Sequence, residues 1–403
     1  MAFLLFCCAA SFAQQLTDEE KQRIIARLDS SDENQDLRAL SDIVKHNIVE
    51  AVPLIEEKMW HRDNAGWDVY LDALLYLRSP NLSRILNQMI DSSDVLGTRP
   101  FDFGGIELPS WWNPTGIRIM ATEYLFKLGD YSTARYVFEA LRQQQSMFGY
   151  DRGFILLEDV AENVPEYRDS AKAELIKIAR NATYSGNRGR AQHDLIEVFG
   201  EEIFPEMVYW GRNDSDGANR LTALLALSTL GYPELRSFLI ERLAQESFVS
   251  YKQDIAELLL TQFGGVRDYQ MVKNYVASET YAANKIIVGD ALKDFKPPTP
   301  QTTTPISVLL DSLVSIKHQT AALGWLSDAN FVAELDNDLQ SARSALVSED
   351  SSGCVSSIKA FQSKVDTEYR DSLDNDGRTV TVEGWKFLYY NTQYILDRLP
   401  NKK

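Results

Sequence analysis

Apolar residues in this chain recur every three or four positions, in short runs that come in pairs. Leu37, Leu40, Ile43 and Val44 fall on one face, and after a break Val52, Ile55 and Met59 do the same. That spacing predicts two amphipathic helices sharing a core. Pro53 falls in the first turn of the second, where its missing N–H costs nothing. The layout returns in Ala121–Leu141, ATEYLFKLGDYSTARYVFEAL, and in Ala223–Leu243, ALLALSTLGYPELRSFLIERL. Each has an apolar helix, a Leu-Gly corner, a tyrosine just beyond it and a second apolar helix. Gly129 and Gly231 lie 102 residues apart, three units of 34. A fixed period of this size marks stacked helical repeats.

Further corners are expected at Ser79-Pro80, Asn163, Gly200 and Gly264. From Gly129 to Gly264 the spacings are 34, 37, 31 and 33 residues. Glycine suits such corners because the residue just past a helix end often turns left-handed. About seven pairs fit between residues 35 and 295. A polar helix, Leu16–Ser31 with Thr17 as its cap and Asp18, Glu19 and Glu20 in its first turn, precedes them. A closing helix, Tyr281–Phe295, follows. The pattern over residues 35–295 resembles HEAT repeats. Gly129–Gln144 taken alone is similar to the second helix of a tetratricopeptide unit, but that family's Trp/Gly/Tyr/Ala/Pro pattern is not met in consecutive units. The resemblance implies an all-α fold, an α-α superhelix of the solenoid kind.

One insertion, Asp91–Pro114, breaks the period. It carries Phe101, Phe103, Trp111 and Trp112 together with Gly104-Gly105 and three prolines. Aromatics in a long loop serve either as a ligand platform or as a plug in the groove between helix pairs. These four are the candidate binding residues of the repeat domain.

Residues 296–305, KPPTPQTTTP, hold four prolines and four threonines. Such a segment builds no core of its own and reads as an extended linker. Beyond it, helices are expected at Ile306–Leu323, Phe331–Leu346, Val355–Tyr369 and Val382–Leu399. Leu335, Leu339, Ala342 and Leu346 followed by Ile358, Phe361 and Val365 form the pattern Leu-x3-Leu-x2-Ala-x3-Leu, a polar turn, then apolar-x2-Phe-x3-Val. With the final GWKFLYYNTQYILDRL, this resembles the small helical module called FIMAH. The resemblance covers residues 306–400 and implies a small four-helix bundle acting as an accessory binding module, with polysaccharide as one ligand class.

The connection Asp371–Thr381 is tested against a calcium loop. Asp374, Asp376 and Glu383 stand at loop positions 3, 5 and 12, and Gly377 at 6. Position 1 is Ser372, which lacks the first carboxylate. An acidic turn is therefore the main reading and calcium the lesser one.

Composition adds compartment and excludes partners. The chain has 403 residues, is 44% hydrophobic and carries a net charge of −17. That balance disfavours nucleic acid and anionic lipid, both of which need clustered Lys and Arg. Residues 1–13, MAFLLFCCAASFA, are apolar and end on small residues, as a signal peptide does. Export to the periplasm or the extracellular space is expected. A lipoprotein signal is the lesser reading, because Phe6 precedes Cys7. No later stretch has the length of a membrane span. Cys354 stands alone after the signal and is expected to be a buried core thiol.

Chemistry is sparse. His46, His61, His193 and His318 show no i+3 or i+4 pairing with one another, and neither a Gly-x-Ser-x-Gly elbow nor a phosphate loop occurs. Gly186-Asn-Arg-Gly-Arg190 reads as a solvated turn, or as a carboxylate or sulfate binder. No cofactor is expected. The sequence reads as a non-enzymatic, exported scaffold that binds a protein partner on the concave face of a solenoid. The alternative is a carbohydrate-binding or carbohydrate-active α/α barrel. Trp111, Trp112 and Tyr150 would then be platforms, and Asp102, Glu107 or Asp151 acids.

Overall fold

The computed structural model describes residues 16–28, 33–61, 66–97, 101–103, 106–108, 113–142, 152–374 and 380–399. Residues 1–15, which include the expected signal peptide, lie outside them. The fold is helical. Among the described residues the one sheet is a two-stranded antiparallel hairpin, Phe101–Phe103 (β1) with Ile106–Leu108 (β2), inside the aromatic insertion. No helix of the described residues is long and apolar enough to cross a membrane. Contacts divide the chain into two compact units, Met1–Ala179 with His193–Val198, and Arg180–Gln192 with Phe199–Lys403.

The first unit begins with α1 (Asp18–Arg27). Thr17 caps it: its hydroxyl accepts from the Glu20 amide at 3.3 Å, and the Glu20 carboxylate accepts from the Thr17 amide at 2.8 Å. This reciprocal pair satisfies two otherwise orphan donors. The helix stops at Arg27, four residues short of the expected end. Next come α2 (Glu33–Lys45), α3 (Val52–His61), α4 (Trp67–Tyr76), α5 (Leu82–Asp91), the short α6 (Ser93–Leu96), α7 (Pro114–Lys127), α8 (Arg135–Arg142) and α9 (Leu157–Asn163). Leu40, Ile43, Val52, Ile55 and Met59 are buried in one core with Trp67, Leu71, Leu86 and Ile117. Leu37 is 41% exposed, so the buried stripe of α2 starts one turn later than its pattern suggested. The Trp67 indole donates to the Met59 carbonyl at 3.0 Å, which lets a buried ring keep its hydrogen bond.

Two helices straddle the division, α10 (Arg168–Asn181) and α11 (Ser185–Phe199). The second unit continues through α12 (Phe204–Asn213), α13 (Gly217–Thr229), α14 (Leu235–Gln245), α15 (Val249–Gln262), α16 (Val266–Ser278) and α17 (Ala282–Lys293). Helices here pack on the next in sequence and on the next but one: α12 on α13, α14 on α15, α13 on α15 and α15 on α17. The corner glycines take the predicted conformation. Gly129 has φ +80° and Gly231 has φ +72°. In both corners the following amide reaches the carbonyl five residues back, Asp130 to Leu125 and Tyr232 to Leu227, each at 2.9 Å. Those bonds satisfy helix-end carbonyls that would otherwise be orphaned.

After residues 294–305 come α18 (Ile306–Ala322), α19 (Ala329–Val347), α20 (Ser351–Asp374) and α21 (Val382–Leu396). α18 packs on α19, α19 on α20, α20 on α21, and α21 on α18. Leu335, Leu339, Ala342, Ile358, Phe361 and Val365 are all buried, and Cys354 is buried with them. α20 runs five residues past its expected end.

The proline- and threonine-rich residues 296–305 lie inside the second unit and are gripped by α21 and the residues just after it. Tyr394 donates to the Pro297 carbonyl at 2.6 Å. Arg398 donates to the carbonyls of Pro300, Gln301 and Thr304 at 2.5, 2.7 and 3.2 Å. Lys386 donates to the last carbonyls of α17, Leu292 and Lys293, at 3.0 and 2.8 Å. Tyr269, Phe295, Trp325 and Phe387 form one aromatic cluster, with centroids 5.0–5.9 Å apart. Edge and offset contacts of this kind are favourable beyond the area they bury.

Candidate interaction surface

The four candidate aromatics fall in or beside the hairpin. Phe101 and Phe103 lie on β1, opposite Leu108 and Ile106. Trp111 and Trp112 lie outside the described residues, as do Tyr150 and Asp151 of the carbohydrate reading. Asp102 and Glu107 are cross-strand partners, which places two acids of that reading on one hairpin.

The calcium candidates are divided among other tasks. Ser372 and Asp374 sit in the last turn of α20, and the Ser372 hydroxyl donates to the Glu368 carbonyl at 2.6 Å. Asp376 lies outside the described residues. Glu383 opens α21 and forms an ion pair with Lys273 of α16. Burial raises the Glu383 carboxyl, but the hydrogen bonds of Lys273 and Thr381 outweigh it and hold the group below its ordinary range.

The first unit assembles charged groups that were not singled out in the sequence. α4 supplies Asp68 and Asp72, α7 supplies Glu123, Tyr124 and Lys127, and the turn before α9 supplies Arg152. One edge of the Arg152 guanidinium holds both Asp68 oxygens at 3.0 and 2.9 Å, while its other amino group meets Glu123. Tyr124 donates to Asp72 Oδ1 at 2.7 Å, and the Lys127 ammonium lies 4.3 Å from the Tyr124 ring centre. Burial raises the Asp68 carboxyl against the pull of Arg152. Asp159 on α9 is raised by burial, then by Glu162 and Glu123. Tyr124 is pushed far up, by burial and then by Asp72. A tyrosine serving as a base needs the opposite shift. The arrangement suits a fixed, charged contact surface better than proton transfer.

In the second unit the charged residues follow a rule. Arg188, in the first turn of α11, donates Nε and Nη2 to Asp214, at 3.1 and 2.7 Å, in the corner after α12. Arg220, in the first turn of α13, donates Nε and Nη2 to Glu246, at 2.9 and 2.6 Å, in the corner after α14. Each arginine also reaches the carbonyl six residues behind it, Arg188 to Ala182 at 2.9 Å and Arg220 to Asp214 at 2.7 Å. All four ionic side chains are at most 9% exposed. Forked pairs of this kind are the strong, orienting ones.

The third corner keeps the scheme in altered form. Lys252 donates to the Tyr275 hydroxyl, and Glu279 accepts from the Thr280 and Tyr281 amides at 2.9 and 3.1 Å. Arg188 therefore does bind a carboxylate, one of its own chain, and is not part of a solvated turn.

This ladder was legible in the sequence and was missed. An acid followed six residues later by Arg or Lys occurs at Asp214/Arg220, Glu246/Lys252 and Glu279/Lys285. The search had followed apolar and glycine positions only. Comparison of the chain with protein-family models, with curated proteins and with solved structures found no match.

Proposed function

We propose that this chain is an exported, non-enzymatic scaffold for protein interaction. A HEAT-like α-α superhelix over residues 35–295 presents its concave face to a protein partner. The helices of residues 306–400, a FIMAH-like four-helix bundle, add a second contact, with polysaccharide as one ligand class. The observation that carries this reading is the recurrence of one corner geometry every 32 residues, Arg188–Asp214 and then Arg220–Glu246. Identical internal locks at a fixed period are what a stack of equivalent helix pairs requires. They also draw the unit's most buried arginines and acids into structure and away from a reaction centre. In the first unit Arg152, Asp68 and Glu123 are tied to one another in the same way.

The test is crosslinking capture from a bacterial envelope fraction, run beside a polysaccharide depolymerisation assay. Capture of a defined partner is expected. Phe101→Ala/Phe103→Ala and Trp111→Ala/Trp112→Ala are expected to weaken it without lowering the melting temperature. Polysaccharide cleavage with no captured partner would replace this reading with the carbohydrate one. N-terminal sequencing of the exported protein is expected to begin at Gln14.

A further inference from the structure

A cleft of about 530 Å³ opens where the end of the repeats meets α21. Its floor is apolar and aromatic: Leu260 of α15 and Phe295 are buried, and Tyr394 of α21 forms one wall. Its rim carries three exposed carboxylates, Glu257 of α15, Asp290 of α17 and Asp294 just beyond it. One cation, Lys296, belongs to the lining, but its ammonium lies 5.5 Å from the Tyr390 ring centre. Lys386, the other cation near Asp294, is spent on the Leu292 and Lys293 carbonyls. Glu257 accepts from Gln253 at 2.8 Å, a neutral donor. The acids of the corner ladder each have an arginine, whereas these three face a concavity with no cation of the chain directed at them.

We propose that this cleft binds an organic cation, an ammonium or guanidinium group on an alkyl stem. The stem would lie on Leu260 and Phe295, and the charged end would meet the three carboxylates beside the aromatic rings. Aromatic faces and carboxylates together select an organic cation over a bare metal ion, which has no use for an apolar floor. A one-signed cleft with low-dielectric walls also concentrates its field, which favours capture from solution. The site is composite. α15 and α17 supply the carboxylates and floor, and Tyr394 closes it because α21 is docked there. A lysine or arginine of the protein partner would carry the group, a choice that rests on the scaffold reading. A free polyamine presents the same chemistry.

Calorimetric titration of the full chain with tetralysine, and separately with spermidine, tests this. One-to-one binding of at least one probe is expected. Asp290→Asn/Asp294→Asn should weaken it about tenfold, the size expected for losing two partly exposed charge contacts. The charge-matched pair Glu57→Gln/Asp169→Asn, on exposed acids of the first unit, should leave it unchanged. Circular dichroism and melting temperature check that each variant is folded. Tetralysine bound in preference to spermidine assigns the site to a polypeptide partner, and the reverse order assigns it to a free polyamine. The proposal is overturned if neither probe binds, or if the two double variants weaken binding alike, since diffuse negative charge then suffices. Either of those results with envelope capture intact removes the cleft and leaves the scaffold reading standing.

Discussion

Arg220 stands to Glu246 as Arg188 stands to Asp214: in each pair a guanidinium in the first turn of one helix grips a carboxylate 26 residues on, in the corner that ends the next helix. The bond ties the start of a helix pair to its finish and so sets the angle at which the next pair begins. Glu246 also accepts from the Ser247 and Phe248 amides at 2.7 and 3.1 Å, which joins the lock to the N-terminus of α15.

Removing one member of this lock should cost more than removing both. Arg220→Met leaves Glu246 buried without its counter-ion, and a loss of about 3 kcal/mol in unfolding free energy is expected. Arg220→Met/Glu246→Leu should recover part of that loss, because no uncompensated charge remains. Urea denaturation of the four proteins of the cycle measures the coupling. A single-variant loss below 1 kcal/mol, on the order of an exposed pair, would mean that the corner is held by packing alone.

Acid should release the same lock over a definable range. Burial pushes the Glu246 carboxyl up, yet the hydrogen bonds from Arg220 and from the Phe248 and Ser247 amides prevail and bring it down to about 2. A folded-state value below the ordinary 4.5 means that this group's contribution is complete above pH 4.5 and is lost as the pH falls from there towards 2. The melting temperature should drop across that window, and Glu246→Gln, already weaker at pH 7, should drop less. Parallel curves for the two proteins would show that other carboxylates govern acid unfolding.

Asp159 carries the opposite sign. Its carboxyl is raised by burial, then by Glu162 and Glu123. Its unfavourable contribution grows as the pH rises above the ordinary 3.8 and is complete once the pH passes the raised folded-state value. Asp159→Asn should therefore stabilise the protein at pH 7 by up to about 0.5 kcal/mol, small because the group is only half-buried and solvent screens it. The gain should vanish at low pH, where wild-type Asp159 is protonated. Thermal unfolding at pH 7 and pH 3 distinguishes this from a pH-independent change in packing.

Gly217 opens α13, and a β-carbon there would run into the ring of Tyr251 on α15. Gly217→Ala should cost about 1–3 kcal/mol as an overpacking change. The double variant Gly217→Ala/Tyr251→Ala should regain part of it, since the obstructing ring is gone. If the single variant melts like wild type, the Tyr251 ring moves aside at no cost.

The grip on residues 296–305 predicts slow exchange in a segment whose composition suggests none. Arg398→Met removes the donors to three carbonyls, and Tyr394→Phe removes the bond to Pro297. The double variant should show faster amide exchange at residues 301–304 and faster proteolysis there. Equal rates in variant and wild type would reduce those contacts to incidental ones.

The apolar period, the corner positions and the buried faces were all legible in the linear sequence. Leu335, Leu339, Ala342, Ile358, Phe361 and Val365 are spaced for one helix face, and that face is buried. Gly129 and Gly231 follow apolar helices, and both adopt positive φ. These features are local, since helical periodicity and the conformational freedom of glycine act within a few residues. Tertiary structure decided which charges meet. Arg152 joins Asp68 across 84 residues and Lys273 joins Glu383 across 110, and no short-range pattern announces either pair. It also decided the fate of residues 296–305, whose prolines and threonines have no apolar face of their own. Those residues are ordered by Arg398 and Tyr394, which reach them only because α21 is folded beside them. The corner ladder lies between the two cases. Its spacing of 26 residues is written in the chain, but a carboxylate and a guanidinium so far apart acquire meaning only once two helices have turned back on each other.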